Sequence, residues 1–135
     1  MEDASFGIVP IRARSREVLL VQSLEGVWGL PKGHPEPEDA DAVATALREL
    51  REETGITSCE VDAARTFDET YTFIRNGIVT RKHNRFFLGF VGDEAVTPQE
   101  GEIREARWFD YKAALEIVTF EEAKQVIKEA YAFIA

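Results

Sequence analysis

Apolar and polar positions divide the chain into strand-like runs and three helical stretches. Ser5 to Ile11 reads as a first strand. Pro10 places it at an edge or a bulge, because proline has no N–H to give to a ladder. Arg12 to Arg16 is a polar turn, and Glu17 to Gln22 reads as a second strand. Leu24 to His34 is a loop with three glycines. From Asp41 to Thr54 the pattern is helical. Val43, Leu47, Leu50 and Thr54 fall on one face, where a sheet can cover them. Asp39 or Asp41 suits the N-cap, and Gly55 suits the left-handed residue that ends many helices. Cys59 to Ile74 holds strand-like segments, and Asn76-Gly77 is a hairpin signal. Ile78 to Val91 reads as one long strand or a pair. A polar loop from Asp93 to Glu102 precedes a short strand from Glu105 to Phe109. Tyr111 to Ile117 and Phe120 to Phe133 read as two further helices. Mixed strands with separated helices argue for an α+β fold or a helix–sheet–helix sandwich.

The first helix carries the chemistry. Glu49, Glu52 and Glu53 lie on roughly the face opposite the apolar one, since residues three and four apart are neighbours on a helix. Taken alone, such a run is an ordinary solvated face with Arg–Glu pairs. Close carboxylates repel one another, however, and a hard divalent cation removes that repulsion by taking their oxygens as ligands. Magnesium leaves coordination places for water and substrate phosphates. A metal-assisted reaction at a phosphate is therefore the first hypothesis.

Gly33 to Ile56 resembles the Nudix box: G, five residues, E, seven residues, then R-E-U-x-E-E-x-G-U, with U apolar. Arg48, Glu49, Leu50, Glu52, Glu53, Gly55 and Ile56 match the second half. Asp39 stands where the first glutamate is expected, and eight residues separate it from Arg48. This reads as a one-residue insertion in the loop before the helix. Trp28-Gly29-Leu30-Pro31-Lys32-Gly33-His34 is similar to the lead-in of the dinucleoside tetraphosphate hydrolase branch. The C-terminal runs Arg107-Trp108-Phe109, Ala113-Ala114, Phe120 to Lys124, and Ala132 to Ile134 are also similar to that branch.

The resemblance implies an α/β/α sandwich around a mixed sheet, a single Nudix domain over 1–135, and a pyrophosphohydrolase. It implies magnesium, with manganese as the alternative ion. Metal ligands are expected at Glu49, Glu52, Glu53 and Glu102, and at the main-chain carbonyl of Lys32. Glu49 and Glu52 are candidate catalytic groups, with Arg48 orienting the glutamates. His34, Lys32 and Lys82 are candidate phosphate contacts, the last within the basic run Arg81, Lys82, His83 and Arg85. Phe86 and Phe120 stand where the branch stacks its base, although aromatics at such spacing are often core. Trp28 and Trp108 are assigned to packing. The branch implies asymmetric cleavage of diadenosine tetraphosphate to ATP and AMP. Competing readings are hydrolysis of nucleoside triphosphates, diphosphoinositol polyphosphates or RNA 5′ ends, and a non-catalytic nucleotide sensor.

A net charge of −9 argues against a general nucleic-acid or membrane-surface binder. The single cysteine and two histidines give no disulfide framework and no zinc motif. The expected partner is a small nucleotide, with no stable nucleic-acid partner and no membrane, and the expected state is a cytoplasmic monomer.

Overall fold

In a computed structural model that describes residues 1–135, the strand-like runs join into one seven-stranded sheet. The elements are β1 Glu2–Arg12, β2 Val18–Ser23, β3 Trp28–Gly29, β4 Lys32–Gly33, α1 Ala42–Thr54, β5 Cys59–Arg75, β6 Ile78–Val91, β7 Ile103–Phe109, α2 Tyr111–Ile117 and α3 Glu121–Ile134. The main path runs β3-β2-β1-β6-β5, with β4 added to β1 and β7 to β2. β1 and β6 are parallel, from Glu2 opposite Arg81 to Arg12 opposite Val91. The remaining pairs are antiparallel, so the sheet is mixed.

Sequence neighbours on the central strands point to opposite faces, as a pleated strand requires. Ile8, Leu19 and Phe87 pack with Ala46, Leu50 and Ile56 beneath α1. Val9, Leu20, Phe86 and Leu88 pack with Phe67, Val126 and Ile127 beneath α2 and α3. Helices therefore cover both faces, giving the expected α/β/α sandwich. No helix is long and apolar enough to cross a membrane.

Pro10 corrects one expectation. It lies in a central strand, not at an edge or a bulge, paired in register with Gly89. The Ile8 N–H donates to Pro31 O at 3.2 Å and the Arg12 N–H donates to Glu17 O at 2.8 Å, both on the side away from β6. By the same alternation Pro10 faces the gap between β4 and β2, where no partner asks for an N–H. The loop 24–34 also proves more ordered than expected, because it contains β3 and β4. The segment after Cys59 is one long strand with a bulge between Asp62 and Thr66. Its hairpin closes at Asn76 and Gly77, with φ of 52° and 75°. Positive φ at both central residues is the turn that an Asn-Gly pair favours.

Candidate active site

The acidic helix is fixed at both ends. The Asp41 carboxylate accepts from the Ala44 N–H at 2.8 Å, and Gly55, at φ 80°, closes the last turn onto Arg51 O. Loop 92–102 is tied to this end, with Thr97 N–H donating to Thr54 O and Gln99 N–H to Glu53 O. That anchor carries Glu102 to the site from a distant part of the chain.

Arg48 organises the carboxylates. Its Nε and Nη2 donate to Asp39 at 3.0 and 3.1 Å. Its Nη1 donates to Glu49 at 2.9 Å and to Glu52 at 2.8 Å. Nη2 also donates to the His34 carbonyl at 2.8 Å. Asp39 further accepts from Thr45 Oγ1 and from the Glu36 N–H. These bonds, led by the Arg48 guanidinium, hold the Asp39 carboxyl well below the usual carboxylate range. Asp39, at the position of the expected glutamate, thus meets the arginine of the box despite the inserted residue.

Gly33 sits against the Glu49 carboxylate, which occupies the space a Cβ would need. Glu49 in turn neighbours Glu53, which is only 9% exposed. Burial, then the hydrogen bond and charge of Glu49, push the Glu53 carboxyl upward. Lys32 pulls the other way through its ammonium and its main chain. Two acids crowded together with one buried suit a hard divalent cation, which replaces the shared proton and relieves both costs. Glu52 faces Arg48 and solvent, and no three acidic, histidine or cysteine side chains converge on one point in this arrangement.

Beside Glu53 opens a cleft of about 220 Å³. Lys32, Glu53, Glu102, Phe86 and Phe120 all line it. Phe120 is 56% exposed at the start of α3, a free aromatic face. Phe86 is 1% exposed and belongs to the core, although it borders the cleft. A side chain so enclosed offers no open face for a base to stack on, which corrects the expectation for Phe86.

Lys82 and His34 lie outside the cleft lining. Lys82 is buried, with Nζ donating to Ser5 Oγ at 2.6 Å and to Asp3 Oδ2 at 3.3 Å. The expected basic patch does not form, because β6 alternates. Lys82, Asn84 and Phe86 are buried, while Arg81, His83 and Arg85 are on the other face, the last two beside Asp68. His34 is exposed and its Nε2 lies 2.7 Å from Asp3 Oδ1. Trp28 packs edge-on to Phe109, and Trp108 lies under the Arg12 guanidinium.

Sequence reasoning missed Glu69, Tyr71 and Glu122, which also line the cleft. Glu69 and Tyr71 follow the buried Phe67 at period two on β5, a signal available only once the strand's register is known.

The NUDIX domain family matches residues 1–131. The chain belongs to the NUDIX family. It is a hydrolase of pyrophosphate bonds, and NUDIX hydrolases generally use divalent metals such as magnesium. It is 31% identical over 121 residues to the asymmetrical bis(5′-nucleosyl)-tetraphosphatase of Mus musculus, covering 87% of this chain and 80% of the mouse protein. The Rattus norvegicus protein of the same name is 32% identical over 124 residues, with the same coverage. Among solved structures, a C. elegans Ap4A hydrolase binary complex superposes with a TM-score of 0.81 at 24% identity, covering 98% of this chain and 97% of that one. That likeness bears on the fold.

Proposed function

We propose that this NUDIX enzyme is a magnesium-dependent hydrolase of dinucleoside polyphosphates that cleaves diadenosine tetraphosphate asymmetrically to ATP and AMP. The observation that carries the reading is the joining of Glu53, Lys32 and Phe120 in one cleft. Carboxylates for a cation, an ammonium for a phosphate and an aromatic face for a base stand side by side there. At about 220 Å³ the cleft is smaller than the ~300–1,000 Å³ of most small-ligand pockets. It suits one end of a long substrate, with the rest lying along the exposed surface. The names of the mouse and rat relatives support the same substrate class.

Glu49, Glu52, Glu53 and Glu102, with the Lys32 carbonyl, are the residues we assign to hold the cation. Bound there, magnesium supplies Lewis acidity, which acidifies water and offsets charge on the phosphoryl oxygens. Arg48 orients Glu49 and Glu52 by charge-assisted hydrogen bonds. We assign Glu49 to take the proton of the attacking water. The Lys32 ammonium stabilises charge that develops on the phosphate as the anhydride bond breaks.

The test is hydrolysis with magnesium of diadenosine tetraphosphate, nucleoside triphosphates, a diphosphoinositol polyphosphate and a 5′-triphosphorylated RNA, in oxygen-18 water. ATP plus AMP, with label in one product class, is expected. Two molecules of ADP would overturn asymmetric cleavage. Preference for another substrate of the panel would overturn the substrate assignment.

A further inference from the structure

Glu69 is an acid in the cleft wall that no step of the proposed hydrolysis uses. It stands on β5 directly opposite Asn84 on β6. Asn84 is fully buried, and its Nδ2 donates to Glu69 Oε1 at 2.8 Å. The second carboxylate oxygen, Glu69 Oε2, has no hydrogen-bond partner, and neither has Asn84 Oδ1. Both atoms are closed to water. A buried acceptor without a donor costs free energy, so such pairs are rare in folded proteins. The neighbouring ammonium of Lys82 is already spent on Ser5 and Asp3. Glu69 lines the cleft with Asn84 behind it, beside the exposed side chains of Tyr71 and Phe120. Contact with Glu69 Oε2 requires the Glu69 side chain to turn toward the cleft that it lines.

We infer that Glu69, held by Asn84, is a specificity-determining residue that accepts a hydrogen bond from the exocyclic amine of a 6-aminopurine base. The inference deepens the proposed function, since it rests on a base entering the cleft. An amine brings a hydrogen to the unpartnered oxygen of Glu69. Hypoxanthine and guanine place a carbonyl oxygen at that position, which faces the Glu69 carboxylate with like polarity. A single buried water that donates both its hydrogens is the rival occupant, and it predicts no preference among bases.

The experiment measures dissociation constants of AMP, IMP, GMP and purine riboside monophosphate, which lacks the 6-substituent, by calorimetry with magnesium. It compares the natural protein with Glu69→Gln. AMP should bind tighter than the other three by roughly ten- to hundredfold, the span of one hydrogen bond to a charged group. The Gln amide keeps an acceptor for Asn84 and turns an NH₂ to the ligand. The AMP-to-IMP ratio should therefore narrow or invert, which loss of stability alone cannot produce. Equal binding of AMP and purine riboside monophosphate by the natural protein overturns the inference, and this needs no variant. A ratio unmoved in folded Glu69→Gln overturns it as well. In parallel, kcat/KM is measured for diadenosine tetraphosphate and its diinosine counterpart. Failure to hydrolyse either, with the AMP preference intact, sinks the proposed function and leaves the amine contact standing. Hydrolysis of both with equal AMP and IMP binding does the reverse.

Discussion

Asp39 grips Arg48 with both carboxylate oxygens, at 3.0 Å to Nε and 3.1 Å to Nη2. The same guanidinium holds Glu49 and Glu52 through Nη1. A carboxylate in the loop before the helix thus sets the orientation of two carboxylates on it.

Asp39→Asn should weaken this arrangement in a pH-dependent way. The folded-state pKa of Asp39 lies below its unfolded value of about 3.9. The ion pair therefore contributes fully above about pH 4 and is lost as pH falls toward the folded pKa. The melting temperature of Asp39→Asn should lie below that of the natural protein at pH 7, and the gap should narrow steadily below about pH 4. A gap that is constant with pH would show that the charge on Asp39 does not matter.

Glu52→Gln keeps the shape of the side chain and removes one charge. Turnover with magnesium should fall by about 10²-fold or more, since assistance by a cation accounts for several kcal/mol of barrier. The exposed i,i+4 pair with Arg48 is worth only about 0.3–0.5 kcal/mol, so the melting temperature should barely move. Steady-state kinetics at saturating magnesium, alongside a thermal melt, checks both parts. Near-normal turnover would remove Glu52 from the site.

Gly33→Ala puts a methyl group where the Glu49 carboxylate now lies. The backbone of β4 is held by pairing with β1, so the glutamate side chain must yield. A fall in kcat of about tenfold or more is expected, as displacing a catalytic group by an ångström costs up to about a hundredfold. Circular dichroism should show an unchanged fold. Full activity would mean that Glu49 reaches its working position from elsewhere.

Phe86 and Phe120 should separate cleanly. Phe86→Ala opens a cavity in the core at a cost of about 3–5 kcal/mol, with loss on every substrate. Phe120→Ala should leave the melting temperature unchanged. It should weaken binding of adenine nucleotides by about 1–3 kcal/mol, the value of stacking one base on an aromatic ring. Paired melts and KM values decide the matter, and a stable Phe86→Ala variant would return stacking to Phe86.

Cys59 should be slow to react. Burial raises its thiol pKa to about 12. At pH 8 the thiolate fraction is then about 10⁻⁴, against about a quarter for an ordinary thiol of pKa ~8.5. Labelling with a thiol-specific disulfide reagent should be roughly a thousandfold slower in the folded protein than in urea. Equal rates would show that the strand end at Cys59 opens readily.

The sequence alone determined the family, the helix with its carboxylates and the position of nearly every element. These signals are local. The apolar face of α1 repeats along the chain, Asn76-Gly77 encodes its own turn, and Arg48 to Ile56 is contiguous. Pairing between distant segments decided the rest. Pro10 is tolerated in a central strand because β4 and β2 leave a gap beside it. Lys82 became a buried partner of Ser5 and Asp3 because β1 and β6 run parallel in register. Glu102 reaches the cleft because its loop is bonded to the end of α1. Glu69 meets Asn84 only through the register of the β5–β6 hairpin. A residue's neighbours across a sheet depend on strand order and register, and both are set by how the whole core is filled.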